Sequence, residues 1–395
     1  MNNTRFYYLY NILFTIALSF FNPILYIYLL SKDFSFAEVG LYLSIFWLVS
    51  FMTELPCGAI TDNIGAKNSI LLSSVFRVIG LILLLSNSLI LLYISAILSA
   101  VAESFQSGTL TSWLVNVSNK NNEEINIDKI LSRNSLYALF FSAIIGFIST
   151  KYVYTYYKSL SIILSMTVFV ISFLFTYIFM QNLEQTQKIS VEKIKDSFVT
   201  VKNSLKETLY IKSSVFLMIL FVIPSILDLG PSNQWQAVFE KLDADIIGYI
   251  WVGISVSGML GSVIYERLSS KLSKLHILYF LVVINISMLL VFIFIQNVYI
   301  KFVLFMLYII FFTLMSIQVN VFMHKYLVKS DENRTTTVSI FYTFESIVVA
   351  LLLSVNGVLT DKVGIENTWI VFTVIVGIMV ISFIMVKLKR KLTYK

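Results

Sequence analysis

The sequence predicts an all-α membrane protein whose twelve transmembrane helices form two pseudo-symmetric six-helix bundles. Of the 395 residues, 58% are apolar, 15% aromatic and only 13% charged, and the mean hydropathy is strongly positive. A water-soluble globular chain of this length does not have that balance. The apolar residues gather into twelve runs, each near the ~20 residues that a helix rising ~1.5 Å per residue needs to cross a bilayer. The longest polar interval, 181–212, falls close to the middle and separates six runs from six. Barrel strands are excluded, because they alternate apolar and polar residues over about 10 positions, whereas these runs are apolar on all sides for longer.

The first run, 6–30, contains Asn22-Pro23 and is followed by Ser31, Lys32 and Asp33 without the small-residue pattern of a cleavage site, so it is expected to remain as a span. The second, 37–61, runs into a polar stretch from Gly58 to Asn68. The third, 69–88, contains Arg77, and the fourth, 90–117, contains Glu103, Ser107-Gly108 and Trp113. Runs at 131–150 and 157–181 complete a first bundle, 1–181. In the interval 182–212, Ile194, Phe198, Val201 and Leu205 recur at helical spacing among lysines and acids. This predicts an amphipathic linker helix on the cytoplasmic membrane surface. The second bundle, 213–395, opens with a run at 212–234 that holds Pro224, Asp228, Gly230 and Pro231. Two prolines and a glycine invite an interrupted helix, and interruptions within membrane spans often mark binding sites. The eighth run, 246–266, carries Gly253, Ser257 and Gly261 at four-residue spacing, which lets helices pack closely. Runs at 274–295, 298–325, 335–359 and 367–388 follow, with Gln318 and Asn320 in the tenth and Glu345 beside Tyr342 in the eleventh.

Orientation follows from the basic residues. With the N-terminus inside, 22 of the 29 Lys and Arg fall on the cytoplasmic side, six on the other, and Arg77 within a span. The cytoplasmic excess places both termini in the cytoplasm. The net charge of +7 is thus a topology signal, spread over short loops and never gathered into one face that nucleic acid would need. Cys57 is the single cysteine, and His276 and His324 both lie near predicted helix ends. No internal disulfide, metal centre or cofactor is expected. A phosphate-binding loop of the Gly-x-x-x-x-Gly-Lys-(Ser/Thr) kind is missing, so neither an enzyme nor ATP-driven transport by this chain alone is expected.

An ionisable group at the bilayer centre costs at least ~2.5–3.5 kcal/mol on insertion scales, so each calls for a partner or a function. Five stand out: Glu54, Arg77, Glu103, Asp228 and Glu345. Counting ~1.5 Å per residue, Glu54 and Arg77 both lie roughly 12–14 Å from the same end of their helices. Equal depth on adjacent helices makes them a pair, and Glu103, one to two turns higher, lies within reach of the same arginine. Whichever acid is left without the cation sits in apolar surroundings, where a carboxyl can exchange protons near working pH. Glu54, Arg77 and Glu103 are therefore the proton-coupling candidates; a structural ion pair with a bystander acid would use the same residues. Glu103, Trp113, Asp228, Asn233, Trp235 and Glu345 are the candidate substrate contacts, joining carboxylates to aromatic faces that suit cationic, amphipathic cargo.

Gly58, Asp62, Gly65 and Lys67, between the second and third runs, carry a family likeness. With the six-plus-six plan they resemble the major facilitator superfamily, whose pattern here is Gly-x-x-x-Asp-(Arg/Lys)-x-Gly-(Arg/Lys)-(Arg/Lys). The chain departs from it at Asn63 and Ala66. Glu54-Leu-Pro-Cys-Gly58, Ser107-Gly108 with Trp113, and Asn233-Gln-Trp-Gln236 before Gly248 resemble a bacterial drug-exporter-type branch, in which a carboxylate commonly stands where this chain has Asn116. The resemblance implies a monomeric carrier in the cell membrane, surrounded by lipid, that exchanges protons for small amphipathic or cationic molecules by alternating access, and it puts Asn22 and Gln318, as further candidate substrate contacts, on helices that line the central cavity. Asp62 is then a gate latch that meets the N-terminus of the eleventh helix near Thr335, Thr336 and Thr337. Gly58 would allow close helix approach, Gly65 a turn that a side chain would strain, and Lys67 would complete the gate. The proline-glycine motif of the family's antiporters is missing, since Phe140 to Ile148 contains only Gly146. A transporter of a specific nutrient, sugar or peptide, and a non-transporting receptor on the same fold, remain as alternatives.

Overall fold

A computed structural model of the chain describes residues 2–121, 125–182, 212–272, 275–326 and 334–393. Among them every regular element is helical. The expected linker helix at Ile194, Phe198, Val201 and Leu205 lies outside the described residues.

The chain divides into two compact units, Met1–Thr200 with Asp245–Val252, and Val201–Ala244 with Gly253–Lys395. The first opens with α1 (Asn3–Phe21), capped by the Asn2 side chain on Thr4 N–H, and α2 (Leu25–Leu30). Pro23 stands between them, where its missing N–H and its ring interrupt the hydrogen-bond ladder. Next, α3 (Phe36–Ile64) starts at a capping box in which Ser35 and Glu38 satisfy each other's backbone N–H. Lys32, in the preceding loop, donates to the Leu85 carbonyl and, at 2.8 Å, to Asn87 Oδ1. Its partial burial pulls the ammonium pKa down. A single residue, Gly65, then reverses the chain into α4 (Ala66–Leu84), with φ 87° and ψ 153°. The polar stretch from Gly58 to Asn68, expected as a hinge between the second and third runs, is thus almost wholly helical, because polar side chains at an exposed helix end need not stop the ladder, whereas this backbone conformation does.

The fourth segment is divided into α5 (Leu89–Gln106) and α6 (Thr109–Lys120) by Ser107 and by Gly108 at φ 68°. α7 (Ile127–Ile148) continues through a widened turn, Ser149–Val153, into the short α8 (Tyr154–Tyr156), and α9 (Leu160–Phe179) closes the set. Serines let these helices approach. A Cβ on Gly80 of α4 would lie 2.8 Å from Ser99 Oγ of α5, and Ser95 Oγ donates to the Gly80 carbonyl at 2.7 Å. Phe6, Tyr10, Ile70, Leu110, Trp113 and Ile130 form one buried cluster of this unit.

The second unit begins with α10 (Lys212–Leu227) and α11 (Leu229–Glu240), parted at Asp228. Pro231 has no N–H to offer the Leu227 carbonyl, so the ladder fails there. α12 (Ile247–Leu272), α13 (Leu275–Phe294), α14 (Val298–Tyr326), α15 (Arg334–Val363) and α16 (Ile365–Thr393) follow. The predicted small-residue stripe on α12 does bring helices close: a Cβ on Gly253 would fall 2.4 Å from Met306 Sδ, and one on Gly261 2.9 Å from the Ile310 carbonyl. A second one-residue corner, Gly364 at φ 87°, joins α15 to α16.

Ten helices among the described residues are long and apolar enough to cross a membrane. The two predicted spans outside that set, 6–30 and 212–234, are each divided between two helices. Large apolar side chains project outward along the helices, among them Ile90, Phe140, Phe294 and Leu351, each at least 60% exposed. Acyl chains, unlike water, would cover them at no cost. The chain is a multi-pass membrane protein.

Candidate functional site

In the first unit the chemistry centres on Arg77 of α4. Its side chain is buried and its Nη2 bonds Glu103 Oε2 from α5. The guanidinium lies 6.0 Å from the Phe169 ring centre of α9, and Arg77 Nε has no partner among the described residues. Glu54, the pairing partner expected from depth, is exposed on α3 and forms no ion pair among the described residues. Depth along a helix fixes height and leaves the azimuth open, and the azimuth favours Glu103. One face of the Glu103 carboxylate stays accessible, its side chain being 41% exposed. Around this pair Tyr10 O–H donates to Gln106 Oε1 at 2.9 Å, and the hydroxyls of Thr53 and Ser104 lie 2.8 Å apart.

In the second unit two hydrogen-bonded acids meet at the end of α10, Asp228 just beyond its last turn and Glu345 reaching that turn from α15. Tyr308 of α14, fully buried, donates its hydroxyl to Asp228 Oδ1 at 2.8 Å. Ser225, one turn earlier, donates to Glu345 Oε1 from α15. Both carboxylates thus receive hydroxyl donors on one helical face at the interruption. Tyr342 O–H reaches Asn320 Oδ1 at 2.8 Å, linking α15 to α14. Gln318 is buried in α14. Asn233 folds back onto the Leu229 carbonyl, and Trp235 is buried. Between them Gln234, also buried, donates to Thr360 Oγ1 at 3.0 Å and accepts from the Trp369 indole at 2.9 Å.

The remaining predicted residues take up separate positions. Asn22 is exposed at the α1–α2 interruption. Trp113 is buried edge-on to Phe6, its indole donating to the Gln181 carbonyl at 3.0 Å. Asp62 is exposed in the last turn of α3, and Lys67 places its ammonium 5.7 Å from the Tyr177 ring centre. Gly65 has the positive φ expected of it, whereas a Cβ on Gly58 would meet nothing within 4 Å, so no helix of its own unit approaches there. α15 starts at Arg334, with the side chains of Thr335, Thr336 and Thr337 outside the described part.

Sequence reasoning missed Tyr308 and Ser225, for which only a helical-wheel comparison of facing spans would have given a signal. It also missed Lys301, which had counted only as one of the six basic residues on the non-cytoplasmic side. That side chain is 1% exposed, bonds Glu366 Oε1 at 2.6 Å and lies 4.9 Å from the Phe292 ring centre.

Hydroxyl-held carboxylates inside apolar helices, beside interrupted spans, can bind a cation or a proton but supply no nucleophile or metal set. Among the described residues no cluster of three or more metal-ligating side chains occurs. Comparison with known proteins agrees with a transport role. An uncharacterized MFS-type transporter of Bacillus subtilis (strain 168), YxaM, is 25% identical over 275 residues, 68% of this chain and 67% of that protein. The crystal structure of the nucleoside transporter NupG is similar over 97% of this chain and 98% of that one, with a TM-score of 0.77 at 13% identity. A point mutant of NupG gives the same TM-score at 14% identity. At such identities the likeness is one of fold. The sequence model of the Major Facilitator Superfamily matches residues 7–353, most of the chain. Twelve spans, the Gly65 corner and that match together make this chain a member of the Major Facilitator Superfamily, a transporter and not an enzyme.

Proposed function

We propose that the protein is a proton-coupled secondary carrier that exports amphipathic, cationic small molecules by alternating access. The observation that carries this reading is the unequal provision for the intramembrane acids. Arg77 is committed to Glu103, while Asp228 and Glu345 bond the hydroxyls of Tyr308 and Ser225. A carboxylate held by a hydroxyl can take up or give back a proton, or exchange it for a cationic substrate, without an ion pair being broken. On the first unit the coupling acids are Glu103, part-exposed on the side away from Arg77, and Glu54, which forms no ion pair among the described residues. Asn22, Asn233, Gln318 and the indoles of Trp113 and Trp235 belong to or support the substrate path.

The basic-residue asymmetry places the N- and C-termini, the Asp62 corner and the 182–212 linker on the cytoplasmic side of a bacterial cell membrane. In this reading 1–181 and 213–395 act as two bundles of a monomer, and Gly58, Asp62, Gly65 and Lys67 form the cytoplasmic gate. The test is transport by purified protein in liposomes under an imposed pH gradient, against a panel of cationic dyes, peptides, sugars and nucleosides. Nucleosides belong there because NupG, of like fold, carries them by name. Gradient-driven flux of cations that is abolished by Glu103→Gln, with unchanged protein yield, is the expected result. Unchanged coupling in that variant would sink the assignment of Glu103, and gradient-dependent flux confined to nucleosides or sugars would replace the cargo.

A further inference from the structure

The stretch Thr61 to Ser69 occurs twice in this chain. Thr61, Asp62, Gly65 and Asn68 return as Thr360, Asp361, Gly364 and Asn367, with Ile64 and Ser69 answered by Val363 and Thr368. The two copies share geometry as well as letters. Gly65 and Gly364 both have φ 87°. Their N–H groups donate to the Thr61 and Thr360 carbonyls at 2.8 and 2.9 Å, and their carbonyls accept from Ser69 and Thr368 N–H at 3.0 and 3.1 Å. Asn68 and Asn367 each donate Nδ2 four residues back, to Ile64 and Val363, both at 2.8 Å.

Asp62 and Asp361 each sit in the last turn of a helix, where the unsatisfied carbonyls already carry partial negative charge and an acid is disfavoured. Both are exposed. An acid placed twice, at the same step before the same glycine and against the dipole of its own helix, makes the two corners counterparts of one another. The second corner is also the better anchored. Thr360 Oγ1 receives Gln234, which holds Trp369, and Glu366 holds buried Lys301. Thr61 Oγ1, its counterpart, is buried with no partner among the described residues. Through Gln234 the second corner is joined to α11, the helix that begins just after Asp228. A displacement of α11 therefore reaches the α15–α16 corner through two hydrogen bonds.

We propose that Asp361 is a gate residue of the opposite membrane face, a positioning residue that does outside what Asp62 does inside. The inference rests on the reading of Asp62 as a gate and on the orientation given above. It is tested by accessibility in a Cys57→Ser background, which removes the single native thiol. Two reporters are made separately, Asn22→Cys toward the outer end of the first span and Asn320→Cys toward the inner end of the tenth. Each is labelled with a membrane-impermeant maleimide in right-side-out and inverted vesicles.

Asp361→Asn is expected to raise outside labelling of the Asn22→Cys reporter several-fold and to lower inside labelling of the Asn320→Cys reporter. Asp62→Asn should do the reverse, and Asp361→Glu should restore the parental rates. A general loss of folding moves both reporters the same way, so opposite shifts separate gating from damage. If Asp62→Asn shifts the rates and Asp361→Asn leaves them at the parental level, this inference falls alone. If neither variant shifts them, the Asp62 gate falls and takes the inference with it. If Asp361→Glu behaves like Asp361→Asn, the carboxylate is not the acting group and the inference is overturned.

Discussion

Arg77 is the most buried charged residue among the described residues of the first unit. It is 3% exposed, bonded to Glu103 and faced by the Phe169 ring. Removing one member of a buried pair strands the other charge and typically costs about 3–5 kcal/mol, whereas replacing both with neutral groups of similar shape is often close to neutral. Arg77→Met is therefore expected to lower the melting temperature of the detergent-purified protein clearly. Arg77→Met combined with Glu103→Gln should recover most of that loss while remaining inactive in proton-coupled transport. The accessible face of Glu103 reduces the first effect below the fully buried range. A double variant as unstable as Arg77→Met would mean that the guanidinium is held by packing on Phe169 and not by its carboxylate. The sequence disclosed that Arg77 needed a partner within the span, because an unpaired charge there is too costly. It did not disclose which acid, since Glu54 and Glu103 differ in azimuth and a linear string records only height. Asp228 and Glu345 were visible as isolated acids, but their hydroxyl partners, Tyr308 and Ser225, were hidden among many tyrosines and serines.

Helix interruptions were the most legible features at the scale of elements. The Pro224–Pro231 stretch broke its span near the predicted place because a missing N–H acts locally, and Pro23 broke the first span for the same reason although 6–30 was expected as one run. The Gly58–Asn68 stretch was misjudged in length: polarity reports exposure, and an exposed helix end is as polar as a loop. Only Gly65 leaves the helical conformation there, in a region of φ and ψ that other residues enter at a cost of order 1–3 kcal/mol. Gly65→Ala is expected to destabilise the protein by about that amount in thermal unfolding. Gly58→Ala, with nothing within 4 Å of its added Cβ, should stay within roughly 0.5 kcal/mol of the parent. Equal losses at the two sites would show that Gly58 is packed in the working protein. The matching corner at Gly364 was readable in the letters from Thr360 to Thr368, since direct comparison of the chain with itself reveals it.

For the molecule as a whole, composition and the spacing of apolar runs were enough to give the class and the span count, because a bilayer imposes its thickness on every segment alike, while the superfamily needed Gly58, Asp62, Gly65 and Lys67 as well. The cargo was not legible in the same way: a fold shared with NupG at 13% identity is compatible with many substrates, and a handful of cavity side chains decides among them. Sidedness rests on the 22-to-6 division of basic residues about the membrane. Epitope tags at both ends of the chain should accordingly be protected from protease in intact cells and digested in inverted vesicles; digestion of either tag in intact cells would overturn that orientation. The one-residue corners have a mechanical meaning at this scale. α3 with α4, and α15 with α16, are each joined by a lone glycine and so contain no slack. An axial push on one arm of such a hairpin cannot be absorbed by a loop and must appear in the other arm as displacement of equal size, so each pair behaves as a folded lever of fixed throw. Lengthening either corner by two or three flexible residues would turn the lever into a slack tether and uncouple the strokes of the two arms.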